Sequence, residues 1–237
     1  MIKINNISKS FGKLKALDNV SFTVGDNECC ALLGFNGAGK TTLINILTTT
    51  LEPSSGTADI LDYSLSKDKA EIKKYINISP QEPAFGKNLT VYENIDLIAD
   101  LYNVKNKTEK IETVLEEFGL TEKRDQLAKK LSGGQKKRLS IAMAVITSPK
   151  ILFLDEPTLG LDVKSRRALW EKIKALKEKM TIFLTTHYLD EVETLTDRIA
   201  IIDKGRLKAI GTAEEIKKLC LTDTLEDAFL KIVEVEE

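Results

Sequence analysis

Cysteine, histidine, tryptophan and proline are scarce in this chain of 237 residues, at three, one, one and five copies. Three cysteines cannot all pair within one chain, and no C-x-x-C spacing occurs. A disulfide-built scaffold and a metal site of thiolates are therefore excluded. Cys29 and Cys30 are neighbours in an expected strand, where their side chains point to opposite faces, and with Cys220 they read as small packing residues. Long apolar runs are also missing. The longest, residues 141–146, is far short of the roughly 20 that a membrane-crossing helix needs. The first residues, Met1-Ile2-Lys3-Ile4-Asn5-Asn6, lack the apolar stretch of a secretory leader, so the expected compartment is the reducing cytosol. An excess of one charge is absent too: 35 Lys and Arg face 36 Asp and Glu, a net charge of −1. No overall positive field draws the molecule onto nucleic acid or anionic lipid. What the chain does have is 42% hydrophobic residues, enough for a packed core and against long disorder.

The hydrophobic pattern points to an α/β fold. Residues 2–7 and 17–24 alternate apolar and polar, as strands with one covered face do, with Phe11-Gly12 in the turn between them; this predicts an antiparallel layer. Residues 28–33 form a short apolar strand that runs into a glycine-rich loop and a helix beginning near Lys40. Helical periodicity then takes over at 93–102, 108–118 and 136–146. Strands return at 151–154, 181–185 and 199–203, with a helix over 164–179, the rhythm of a mostly parallel sheet. Asp203-Lys204-Gly205-Arg206 is a hairpin turn, and 213–219 and 225–235 are two short helices before an acidic, frayed end.

Gly34-Phe35-Asn36-Gly37-Ala38-Gly39-Lys40-Thr41 matches G-x-x-x-x-G-K-[ST] between a strand and a helix, where a phosphate loop must lie. Its glycines let N–H groups converge on phosphate oxygens, the helix start adds positive potential, Lys40 reaches the β- and γ-phosphates, and Thr41 offers a hydroxyl to Mg²⁺. The ligand this implies is ATP with Mg²⁺. Ile151-Leu152-Phe153-Leu154-Asp155-Glu156 is an apolar strand ending in two acids. Beside a phosphate loop, Asp155 would hold Mg²⁺ and Glu156 would polarise the water that attacks the γ-phosphate. In Leu131-Ser132-Gly133-Gly134-Gln135, a capping box explains Ser132 and Gln135. The paired Gly133 and Gly134 are poor choices for a helix start unless a ligand approaches closely, and so suggest a second anion cradle. The clusters Lys129-Lys130 and Lys136-Lys137-Arg138, without interleaved aromatics, read as a solvated helix face rather than a nucleic-acid patch.

The phosphate loop, the Leu-Ser-Gly-Gly-Gln element and the strand ending in Asp-Glu together resemble the nucleotide-binding domain of an ATP-binding-cassette (ABC) transporter, over nearly the whole chain. The resemblance implies a single ABC ATPase domain over 1–237: a P-loop NTPase core of 1–85 and 150–211, an inserted helical subdomain of 86–149 and a short helical tail of 212–237. It implies that Gly34, Asn36, Gly37, Ala38, Gly39, Lys40, Thr41 and Thr42 bind ATP and that Phe11 stacks on adenine. Ser132, Gly133, Gly134 and Gln135 would serve the nucleotide of a second chain. Thr41, Gln81 and Asp155 would hold Mg²⁺, with Glu156, His187 and Gln81 as the catalytic set; Gln81 would relay nucleotide state and His187 sense the γ-phosphate. Two positions depart from the pattern, Leu159 where serine is usual and Met143 where arginine is often seen.

The resemblance further implies a head-to-tail pair, with an identical or related nucleotide-binding domain, that ATP closes and hydrolysis loosens. A separate transmembrane permease would dock on residues 82–102, which would hold the chain peripherally at the cytoplasmic face of the membrane. Residues 185–193 and 225–229 are similar to export-type cassettes serving drug, lipid, polysaccharide or sodium exporters. One rival reading is a soluble cassette acting on nucleic acid, ribosomes or cofactor assembly; the coiled-coil arms, cysteine clusters and second cassette of such proteins are missing from the sequence. Another is a nucleotide-dependent binding module with little hydrolysis, against which Glu156 argues.

Overall fold

The computed structural model describes residues 1–234. The acidic chain end expected to fray, 235–237, and the last residue of the helix expected over 225–235 lie outside the described residues. Two sheets carry the architecture. In the first, β1 (Ile2–Phe11) pairs antiparallel with β2 (Leu14–Val24) on one side and with β4 (Ser55–Ile60) on the other, and β5 (Tyr63–Ser64) extends the edge. The expected antiparallel layer thus has four strands, in the order β2-β1-β4-β5. The stretch that becomes β4 begins Ser55-Gly56-Thr57, which has the composition of a turn rather than of a half-buried strand.

The second sheet contains β3 (Cys29–Leu33), β6 (Ile76–Ser79), β7 (Ile151–Asp155), β8 (Thr181–Thr186), β9 (Arg198–Asp203) and β10 (Arg206–Gly211), in the order β10-β9-β3-β8-β7-β6. Every neighbouring pair is parallel except the hairpin of β9 and β10. Its strands read as near-continuous apolar runs because both faces are covered. Side chains still alternate between the two faces. Cys29, Leu33, Leu152, Leu154, Ile182 and Leu184 join the core on one face, and Cys30, Leu32, Phe153 and Phe183 join the core shared with the first sheet. Each large side chain fully buried this way contributes about 2–3 kcal/mol. Burial also pushes the Cys29 thiol up to about 12 and the Cys30 thiol higher still, so both are inert packing groups, as expected from the sequence.

Helices α1 (Lys40–Leu47), α2 (Lys69–Ile72), α3 (Val91–Leu101), α4 (Lys107–Glu117), α5 (Gly133–Val145), α6 (Val163–Lys177), α7 (Leu189–Leu195), α8 (Ala213–Cys220) and α9 (Leu225–Glu234) complete the described chain. Their starts are set by local chemistry: Thr90 with Glu93, Ser132 with Gln135 and Thr212 with Glu215 form capping boxes for α3, α5 and α8. The box at Ser132 starts α5 at Gly133, three residues before the position its apolar periodicity suggests. The fold is the expected α/β architecture, a mostly parallel sheet with an antiparallel layer and a run of helices between β6 and β7.

Candidate functional site

Parallel strands deliver the residues beyond their C-terminal ends to a single edge of the sheet, and here four of them do so. The register sets Leu33 beside Thr186, Asp155 beside Thr185, and Ser79 beside Leu154. The loop after β3, Gln81 after β6, Asp155 and Glu156 at the end of β7, and His187 after β8 therefore converge, although they lie far apart in sequence. A cavity of about 670 Å³ opens at this edge, lined by Phe11, Asn36, Gly37, Gly39, Lys40, Thr41, Thr42, Gln81 and Glu156 among the expected site residues. Leu14, Lys15, Ala16, Leu159, Lys204 and Gly205 line it as well.

The phosphate loop is shaped by close packing. Gly39, the residue before α1, holds φ at 106°, and a Cβ there would meet the Ala16 carbonyl oxygen at 2.6 Å. A Cβ on Gly34 would run into the Ile202 carbonyl oxygen. Gly34 and Ala38 lie behind the cavity wall and fix it: Gly34 O accepts from Lys40 Nζ at 2.7 Å, and Ala38 O accepts from Gly205 N at 3.0 Å. The first turn of α1 has N–H groups without intrahelical acceptors, and Gly39, Lys40, Thr41 and Thr42 all line the cavity, a ready anion cradle. Lys40 is buried. Its ammonium donates to the Gly34 and Phe35 carbonyls at 2.7 and 3.2 Å and pairs with Glu156 Oε1 at 3.1 Å.

The two acids sit in different surroundings. Asp155 Oδ1 accepts from Thr185 Oγ1 at 2.5 Å and lies 3.4 Å from Thr41 Oγ1. Glu156 has a left-handed backbone, φ 47°, uncommon for a residue with a side chain. Its N–H donates to Thr185 Oγ1 at 3.0 Å, and its Oε2 lies 2.9 Å from His187 Nδ1. The His187 ring packs on Tyr188, with centroids 4.1 Å apart. Arg166 lies over both Tyr188 and Trp170, and the Trp170 indole donates to Glu191 Oε1 at 3.2 Å. Glu191 is fully buried, and burial pushes its carboxyl up from the ordinary value of 4.5, against the opposing effect of Thr186, Thr158 and Trp170.

One expectation is corrected here. The lysine cluster at the start of α5 does not form a solvated face throughout: Lys137 is buried and its ammonium donates to the main-chain carbonyls of Gln81 at 2.5 Å and Glu156 at 3.1 Å. Arg138 likewise turns back, donating to the Phe118 and Gly119 carbonyls that end α4. Lys129 and Lys130 are exposed as expected. A charge run in sequence carries no sign of this, because each residue of a helix is rotated by about 100° from the one before, which can set neighbouring side chains to solvent and to interior.

The Leu-Ser-Gly-Gly-Gln element does not line the cavity. The side chains of Ser132 and Gln135 serve the capping box of α5, with Ser132 N to Gln135 Oε1 at 2.9 Å and Gln135 N to Ser132 Oγ at 3.3 Å. Gly134 packs against Ser165, whereas a Cβ on Gly133 would meet nothing within 4 Å. Phe11, at the mouth of the cavity, is 49% exposed, with Lys9 Nζ 5.3 Å from its ring centre. An aromatic face that open suits stacking by a planar ligand.

The donor set fits a magnesium nucleotide. Thr41, Asp155 and Gln81 present hydroxyl, carboxylate and amide oxygens, the hard donors this ion prefers. Among the described residues no group of three or more His, Cys, Asp or Glu could hold a metal, so an ion here would depend on phosphate oxygens to complete its shell.

Comparison with known proteins agrees with this geometry. The family model described as ABC transporter matches residues 17–159. The linearmycin resistance ATP-binding protein LnrL of Bacillus subtilis is 38% identical over 95% of this chain and 73% of its own length. The phospholipid-transporting ATPase ABCA3 of Rattus norvegicus is 40% identical over 92% of this chain; the chain spans only 13% of that relative's length. A solved structure of an ATP-binding subunit of an ABC transporter superposes with a TM-score of 0.88 at 29% identity, over 98% of this chain and 99% of that one.

Proposed function

Because this chain belongs to the ABC transporter family, we propose that it is the ATP-hydrolysing component of an exporter, which closes as a pair of cassettes on ATP and so drives a transmembrane permease. The observation that carries the reading is the meeting of Lys40, Asp155, Glu156 and His187 at one sheet edge beside the phosphate loop. Lys40 holds Glu156 Oε1. Triphosphate, carrying more negative charge, competes for that ammonium and releases the carboxylate to accept a proton from the attacking water. His187 holds the second carboxylate oxygen and keeps it aimed. Thr41, Asp155 and Gln81 would hold Mg²⁺, which when bound neutralises charge on the phosphate oxygens. Phe11 takes the adenine.

Ser132, Gly133, Gly134 and Gln135 would meet the nucleotide of a second, identical or related cassette, since they stand apart from this chain's own cavity. Residues 86–149 form the helical subdomain on a core of 1–85 and 150–211, followed by the 212–237 tail, and 82–102 is the permease contact. Among the described residues no helix is long and apolar enough to cross a membrane; in this reading a transmembrane permease holds the chain at the cytoplasmic face. A linearmycin resistance ATP-binding protein and a phospholipid-transporting ATPase among the relatives support an exporter of drug or lipid type.

Glu156→Gln tests the reading. The variant is expected to bind ATP, to accumulate as a closed pair by light scattering, and to lose turnover by ~10²- to 10⁴-fold. Lys40→Ala is expected to bind ATP weakly. Wild-type turnover in Glu156→Gln refutes the assignment of the base, and a solitary protomer enclosing a non-cleavable ATP analogue refutes the pair.

A further inference from the structure

We propose that Lys137 is a positioning residue for ATP hydrolysis, its ammonium tying helix α5 to the main chain at Gln81 and at Glu156 and thereby keeping the Glu156 carboxylate aligned. This rests on Glu156 being the base. Lys137 is 6% exposed, and Nζ lies 2.5 Å from the Gln81 carbonyl oxygen and 3.1 Å from that of Glu156. Burying a lysine is costly unless its charge is well compensated. Here two carbonyls accept from it, and Asp155, Glu156 and Glu191 supply the opposing charge. A methionine of similar length fills such a space without that cost, so packing alone gives no reason for an ammonium here.

What the ammonium adds is a set of ties. The Glu156 backbone sits in the left-handed region, a conformation that persists only where the surroundings over-determine it. Thr185 Oγ1 holds its N–H, and Lys137 holds its carbonyl, a grip on both sides of the residue whose carboxylate lies between Lys40 and His187. The second tie reaches Gln81, after β6. Lys137 is also four residues beyond Gly133, one turn along the same face of α5. Contact made at Gly133 and displacement after β6 both reach the peptide at Glu156 through this one side chain.

The test uses Lys137→Met in the full chain. Steady-state turnover is expected to lose ~10- to 100-fold in kcat, as small misplacements of a reacting group do, with KM for ATP unchanged. In hydrogen exchange, ATP is expected to alter residues 34–42 as in the wild type while its effect on 80–88 is lost. A purely structural role would not separate those two segments. Unchanged kcat, or an unchanged exchange response at 80–88, overturns the proposal. Should Lys137→Met fail to fold, Lys137→Gln, whose amide reaches one carbonyl, is judged by the same two readouts: reduced kcat with a weakened response at 80–88 supports it, and wild-type behaviour in either overturns it. The exchange response needs no hydrolysis, so it judges Lys137 even if Glu156→Gln turns over normally and the assignment of the base falls.

Discussion

Two glycine-bearing segments of this chain look alike in sequence and differ in what makes glycine necessary. In the phosphate loop the reason lies inside the chain: Gly34 and Gly39 have no room for a Cβ because the Ile202 and Ala16 carbonyls stand in the way. At the start of α5, Gly133 has open space where a Cβ would go and an ordinary helical position, so nothing in its own chain calls for glycine. Alanine would suit the helix better. A residue that costs local stability without an internal reason is what the proposed contact of Gly133 with a second cassette would require.

The largest effect expected from this contrast is at Gly39→Ala. A Cβ at φ 106° and 2.6 Å from the Ala16 carbonyl forces the loop to move, which costs about 3 kcal/mol and abolishes ATP binding, measurable by thermal melting and by equilibrium binding. Normal ATP affinity in that variant would erase the contrast. Gly133→Ala comes next and acts in the opposite direction on stability. The isolated chain gains up to about 1 kcal/mol and binds ATP normally, while turnover falls ~10-fold or more because paired cassettes no longer close. A loss of stability would mean that Gly133 is needed by its own fold after all.

The smallest effect concerns a group whose constraint is again internal. Burial raises the Glu191 carboxyl in the folded chain, whereas unfolding returns it to its ordinary value of 4.5. Below that pH both states carry the proton and Glu191 costs nothing. As pH rises from there through the folded value, the unfolded state ionises first and stability falls. Glu191→Gln keeps an acceptor for Trp170 and removes the ionisation, so its melting temperature declines less between about pH 5 and 7 than that of the wild type. Parallel profiles would show that the carboxyl titrates normally.

The parts of the site legible in sequence are those whose chemistry is local. The phosphate loop needs only its glycines, Lys40 and Thr41 between a strand and a helix, and Ser132 with Gln135 declares a helix start within four residues. The hairpin turn at Lys204-Gly205 is equally plain, though its place in the cavity wall is not. Asp155 and Glu156 are suggestive once the loop is found, but their separate surroundings come from Thr185, Lys40 and His187, brought together by sheet register. The burial of Lys137 is hidden because charge composition says nothing of which side of a helix faces inward. Its spacing of four from Gly133 is the one signal on offer. β4 is hard to see because a strand starting Ser-Gly-Thr is stabilised by pairing with β1 rather than by its own alternation.

The single tryptophan makes part of this site visible without a label. Trp170 touches buried Glu191 through its indole N–H and shares Arg166 with Tyr188, the ring packed on His187. Its fluorescence therefore comes from one known place, a few side chains behind the histidine that holds Glu156. A stopped-flow trace of that emission on mixing with ATP reads any change around His187 from one indole in each chain.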